Sequence, residues 1–94
     1  MEQQFYFTYV LFSLRDHKLY IGYTSQLESR LIQHHEGLNK STKHRRPLKL
    51  IYFEGHISKA SALKRENYFK TSAGKRTLKI MLGDTLEELD YSHL

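Results

Sequence analysis

The chain has 94 residues, no cysteine, one proline and five glycines, a length that supports one hydrophobic core and leaves no room for a second domain within these residues. At 39% hydrophobic and 27% charged it lies in the globular range, and lacking cysteine it has no disulfide, thiolate zinc site or cysteine nucleophile. The net charge of +5 understates the imbalance: residues 1–83 hold all 15 Lys and Arg but only six of the ten acids, a net +9 that attracts polyanions, nucleic acid first among them, before Asp84, Glu87, Glu88 and Asp90 follow in an acidic tail over 84–94.

Met1-Glu2-Gln3-Gln4 lacks the basic start of a signal peptide, and the longest apolar or aromatic run, Phe5 to Phe12, falls far short of the roughly 20 residues of a spanning helix, so a cytoplasmic protein without membrane contact is expected. Residues 5–13 are rich in aromatic and branched side chains and predict a strand. Arg15-Asp16-His17-Lys18 reads as a turn, and Leu19 to Thr24 as the second strand of an antiparallel hairpin. Ser25 with Glu28 reads as a capping box and Gly37 as a stop, which predicts a helix over 26–36 with Leu27 and Leu31 facing the core. Asn39 to Lys49 carries Lys40, Lys43, Arg45, Arg46 and Lys49 among Ser, Thr and the proline, the composition of a basic loop. Leu48 to Phe53 predicts a third strand ended by Gly55; Ser58 caps a helix running to about Ser72, Gly74 interrupts, and Lys75 to Leu82 forms a last short helix. The order β-β-α-β-α-α predicts an α+β domain over residues 1–83: a small three-stranded antiparallel sheet flanked by helices.

Glu66 stands out because helical spacing puts it inside the apolar stripe of Ala62, Leu63, Phe69 and Ala73. A carboxylate at the rim of a core calls for compensation, by a metal ion or by an ion pair with Arg30 or Lys70. Arg30 and His34 lie four apart on the first helix, beside its apolar stripe. A guanidinium there can clamp a phosphate and a histidine can position water or a proton; the alternative is two solvated side chains on an amphipathic helix. Tyr6, Tyr9, Tyr20 and Tyr23 make the hairpin rich in phenols, of which most serve cross-strand packing.

These residues together resemble the GIY-YIG nuclease family, named for two motifs on paired strands of a hairpin. Tyr20-Ile21-Gly22 matches the second motif in full; the first survives as Phe7-Thr8-Tyr9, eleven residues before Tyr20; Arg30 follows within Arg-x-x-x-His, and Arg65-Glu66 sits on a later helix. The ordered set spans residues 5–82 and is most similar to the small single-domain bacterial members related to the N-terminal nuclease domain found in excinuclease ABC. The resemblance implies a three-stranded sheet flanked by helices, one divalent ion, Mg²⁺ or Mn²⁺, held by Glu66, and hydrolysis of phosphodiesters, DNA rather than RNA, assisted by Tyr9, Tyr20, Arg30 and His34. A DNA repair or recombination role would follow. Where some larger members carry an asparagine, twelve residues after the glutamate, this chain has Leu78, with Lys70, Lys75 and Lys79 nearby.

The expected chemistry is in-line attack of water on a phosphodiester, with Tyr9 as base, Tyr20 hydrogen-bonded beside it and Arg30 on the phosphate. An unperturbed phenol costs about 4 kcal/mol to ionise at pH 7, so Tyr9 needs help from a neighbouring cation or metal-bound species. Lys40, Lys43, Arg45, Arg46, Lys49 and Lys70 are the expected phosphate contacts of a monomer. The alternative reading is a non-catalytic nucleic-acid-binding domain that keeps the fold; Glu66 opposes it, because an anion beside a phosphate path weakens binding unless a metal intervenes.

Overall fold

The aromatic run near the start of the chain forms strand β1 (Tyr6–Ser13), which turns into β2 (Leu19–Thr24). Helix α1 (Leu27–His35) and a loop with a single 3₁₀ turn, Lys43–Arg45, lead to β3 (Leu48–His56), and α2 (Lys59–Lys70), α3 (Ser72–Met81) and α4 (Gly83–Tyr91) complete the domain. The computed structural model describes residues 3–91; Met1, Glu2 and residues 92–94 of the acidic tail lie outside the described residues. The strands pair antiparallel in the order β2-β1-β3, the expected α+β architecture, with α4 built from the acidic segment. No described helix is long and apolar enough to cross a membrane.

Placing β1 in the middle explains its composition. A strand covered on both faces has no solvent side, so it shows a continuous apolar run instead of alternation. Val10 and Ile21, neighbours across the β1–β2 ladder, project into a core with Phe69, Leu78 and Leu82, and Thr8 on the same face donates its hydroxyl to the Ala62 carbonyl at 2.7 Å. Each large side chain removed from water there contributes about 1.5–3 kcal/mol. Tyr9, Leu11 and Ser13 point the other way, toward α1 and the basic loop: Tyr9 meets His34, and Ser13 donates to the Arg45 carbonyl at 2.6 Å. Leu82 and Leu89 are buried and Leu86 packs on the core, so the acidic segment is anchored through its leucines.

Several element ends differ from the sequence reading. The capping box does not form: α1 starts at Leu27 with Gln26 as its cap residue and no side-chain cap bond, because β2 runs on to Thr24, whose hydroxyl accepts the Gln26 N–H at 3.0 Å. Gly37 does stop α1, at φ +78, with Leu38 N–H bonded to the Gln33 carbonyl and Gly37 N–H to that of His34, the paired bonds of a Schellman ending. Gly55 does not end β3, which continues to His56 with Gly55 opposite Phe7. Ser58 caps α2 as expected. The break after α2 falls at Thr71, whose hydroxyl caps α3 by accepting the Gly74 N–H at 3.0 Å, and Gly74 lies inside α3 rather than between helices. A β-carbon on Gly74 would overlap the Tyr68 carbonyl, so its absence lets the first turn of α3 close onto the end of α2.

Candidate active site

The register places Tyr9 directly opposite Gly22, and the Tyr9 ring lies over that glycine: a β-carbon there would overlap the ring. The Gly of Tyr20-Ile21-Gly22 is thus the floor on which the phenol of the facing strand rests. Tyr9 is 1% exposed, and its hydroxyl is joined to His34 Nε2 at 2.8 Å. The other ring nitrogen, Nδ1, is joined to Thr42 Oγ1 at 2.7 Å. Tyr20, from β2, packs its ring against His34 with centroids 5.2 Å apart and against Tyr9 at 6.4 Å.

Burial and charge act on this chain of hydrogen bonds together. Burial pushes the Tyr9 phenol above its ordinary range; the neighbouring Tyr20 and Glu66 push the same way, and the Arg30 guanidinium opposes them. Burial, followed by the charge of Arg30, pulls His34 below the ordinary imidazole range, which favours the neutral ring. Arg30 and Glu66, from α1 and α2, therefore both stand close enough to act on the Tyr9 hydroxyl. Glu66 is part-buried, its side chain 18% exposed, and one oxygen accepts from Lys70 Nζ at 3.1 Å. This is the Lys70 ion pair rather than one with Arg30.

The second Glu66 oxygen has no hydrogen-bond partner among the described residues, and no group of three or more His, Asp or Glu able to hold a metal exists among them. Glu66 thus keeps one carboxylate oxygen uncommitted, a donor of the kind a hard divalent ion takes.

Tyr9, Tyr20, Arg30, His34 and Glu66 are thus brought together. Three details differ from the sequence reading. His34 is not a solvated side chain beside the stripe: it is 1% exposed, drawn inward by hydrogen bonds at both nitrogens. Tyr20 is not bonded to Tyr9; its hydroxyl has no hydrogen-bond partner among the described residues. Thr42, buried in the basic loop, was missed, because a threonine among lysines and arginines carries no sequence signal of burial.

The expected phosphate contacts divide. Lys40, Lys43 and Lys49 are exposed. Arg45 is committed inward, with Nε on Asp16 at 2.8 Å and a second nitrogen on the Leu19 carbonyl at 3.3 Å, and the same contact holds the Asp16 carboxyl down at about 2. Arg46 donates to the carbonyls of Lys43 and His35. Arg65, the neighbour of Glu66, forks onto Glu54 at 2.8 and 3.0 Å and lies over the Phe69 ring at 4.3 Å. Tyr52 and His56 also bond Glu54, at 2.8 and 2.6 Å. This network fastens α2 to β3 and so fixes the turn of helix that carries Glu66.

A family model described as the GIY-YIG catalytic domain matches residues 5–79. A UPF0213 protein of Bacillus licheniformis is 39% identical over 92 residues, 97% of this chain and 94% of that protein. UPF0213 proteins of Staphylococcus saprophyticus, 43% identical over 68 residues (71% and 83%), and Clostridium perfringens, 35% over 86 residues (90% and 91%), are also similar. No solved structure matches the chain.

Proposed function

Since the chain belongs to the GIY-YIG family, whose catalytic domain is of the nuclease type, we propose that it is a divalent-metal-dependent endonuclease that hydrolyses phosphodiester bonds in DNA. The observation that carries this reading is the buried Tyr9–His34–Thr42 hydrogen-bond chain, with Arg30 and Glu66 acting on its phenol end.

A phenol with a raised pKa is a poor free base, and the bond to His34 offers a route that avoids a free phenolate. Tyr9 is the more acidic of the two hydroxyls bonded to the His34 ring, so we assign its O–H as donor to Nε2 and the Nδ1–H of the neutral ring as donor to Thr42. The Tyr9 oxygen then keeps a lone pair for a proton of the attacking water. As water adds to phosphorus, Tyr9 takes that proton and passes its own to His34, so no charge rests on the phenol. Arg30 opposes a charged His34 while no anion is near. A phosphate clamped by Arg30 cancels the Arg30 share of the opposition and leaves the larger share, which is burial, so bound substrate eases the relay without removing its cost.

Glu66 is the residue that would hold Mg²⁺ or Mn²⁺, and such an ion supplies Lewis-acid stabilisation of charge at the leaving oxygen. Lys70 keeps the Glu66 carboxylate in place. The decisive experiment incubates the purified protein with branched, flapped, single-stranded and duplex DNA, with and without Mn²⁺, beside Glu66→Gln. Ion-dependent cleavage by the parent and none by the variant is the expected result. Cleavage retained by the variant, with contaminating nuclease excluded, overturns the site assignment.

A further inference from the structure

The β1–β2 turn separates two concavities. One is lined by Arg15, His35, Lys43 and Arg46 and belongs to the basic loop. The other, of about 370 Å³, lies between the turn and α3 and is lined by His17, Lys18, Leu19, Arg45, Lys75 and Lys79. We propose that this second cleft is a binding subsite for the phosphodiester backbone of nucleic acid, with Lys18, Lys75 and Lys79 as its phosphate ligands; the inference rests on the nuclease reading above and adds where the substrate strand runs.

Lys18 and the α3 lysines come from elements far apart in sequence, yet their side chains line one cleft. Among the described residues none of the three has an acidic group within ion-pair distance, and the one acid of the turn, Asp16, is already paired with Arg45. Lys75 and Lys79 stand one helical turn apart, a spacing at which like charges repel. Three such cations line one hollow, and a bound polyanion relieves their repulsion.

The wall that carries Lys18 is prepared in advance. Ser13 Oγ accepts the N–H groups of Arg15 and Asp16, Asp16 accepts the Lys18 N–H at 2.9 Å, and the His17 ring stacks on Phe12 at 5.5 Å. Arg45 ties the Leu19 carbonyl to the loop. Leu19 and Tyr20 are successive on β2 and face opposite sides of the sheet, Leu19 toward α3 and Tyr20 toward α1, so a strand held at the tyrosines reaches the cleft by passing around the β2 edge of the sheet. Among the described residues His17 is the only ring lining the cleft, and it is stacked on Phe12, so the subsite holds backbone and does not read bases.

The test is the salt dependence of binding, measured without metal by fluorescence anisotropy on short labelled DNA and RNA duplexes. Lys18→Gln, Lys75→Gln and Lys79→Gln combined should flatten the slope of log affinity against log salt by about 0.9 per lost phosphate contact, up to about 2.7 in all. Circular dichroism and the melting temperature should match the parent. A loss confined to one duplex names the nucleic acid the cleft takes. Lys59→Gln with Lys64→Gln, exposed on α2, is the surface-charge control and should leave the slope unchanged. An unchanged slope in the triple variant, an equal fall per charge in the control, or no binding by the parent overturns the subsite. A flattened slope in a protein that cleaves nothing with Mn²⁺ supports the subsite and overturns the nuclease reading; cleavage with an unchanged slope does the reverse.

Discussion

Replacing Tyr9 by phenylalanine separates the structural job of its hydroxyl from the one proposed for it in proton transfer. The ring stays over Gly22 and keeps its buried area, while the oxygen 2.8 Å from His34 Nε2 is removed. His34 is then left with an unpaired nitrogen in a site 1% exposed, which costs about 1–3 kcal/mol of stability. In a domain of this size that lowers the melting temperature by roughly 5–20 °C. If the hydroxyl also carries the proton from water to His34, single-turnover cleavage falls by about 10²–10⁴ at a temperature where the variant is still folded, with affinity for DNA little changed. Tyr20→Phe is the matched comparison: its hydroxyl has no hydrogen-bond partner among the described residues, so stability should move by less than about 0.5 kcal/mol and the rate by less than in Tyr9→Phe. A Tyr9→Phe protein that melts early yet cleaves at the parental rate would show that the hydroxyl only fastens His34, and the relay would be refuted.

Other perturbations reach the supports of the site. Gly22→Ala places a methyl where the Tyr9 ring lies, and with the ring held by His34 it should cost about 1–3 kcal/mol in denaturant unfolding and lower cleavage; parental values would mean the ring does not rest there. For Glu54, burial alone would raise the carboxyl, but the hydrogen bonds from Arg65, Tyr52 and His56 outweigh it and hold the group at about 2, below its ordinary 4.5. A lowered folded-state value means that the stabilisation is full above about pH 4.5 and is lost as pH falls through about 2. The free energy of unfolding should therefore fall more steeply with acid across that window for the parent than for Glu54→Gln, and the variant should be less stable at neutral pH by about 1–3 kcal/mol once solvent screening is allowed for. Equal acid slopes would refute the network's contribution.

The strand pairing was legible because β1 and β2 are short, aromatic and joined by a polar turn, and the position of Glu66 was legible because a carboxylate inside an apolar helical stripe breaks a pattern that few other forces would break. Helix ends were less so. Ser25 and Glu28 satisfy the capping spacing, but the ladder claims residues up to Thr24, and a local signal loses to strand pairing. Gly74 reads as an interruption in one dimension; only the approach of α3 to the Tyr68 carbonyl shows it to be a contact. Polar pairs across the fold left no trace either. Thr42 with His34, Glu54 with Arg65, and Asp16 with Arg45 each join residues whose separate identities predict exposure, and it is the joining that commits two arginines to carboxylates of the same chain and puts a histidine inside.

Strand β1 is paired on both edges and covered on both faces, so its amide hydrogens, that of Tyr9 among them, exchange with solvent only when the whole domain opens. Tyr9, the tyrosine of the proposed relay, consequently sits in the strand expected to exchange slowest, while Arg30, Tyr20 and Glu66 belong to elements at its margins. Substrate can reshape the margins without disturbing Tyr9. The same placement leaves the lifetime of the proposed reactive geometry to the partners of Tyr9: His34 rides on α1, so local opening of that helix breaks the Tyr9–His34 contact while β1 stays paired, and activity should decay with the deuterium uptake of α1 before that of β1.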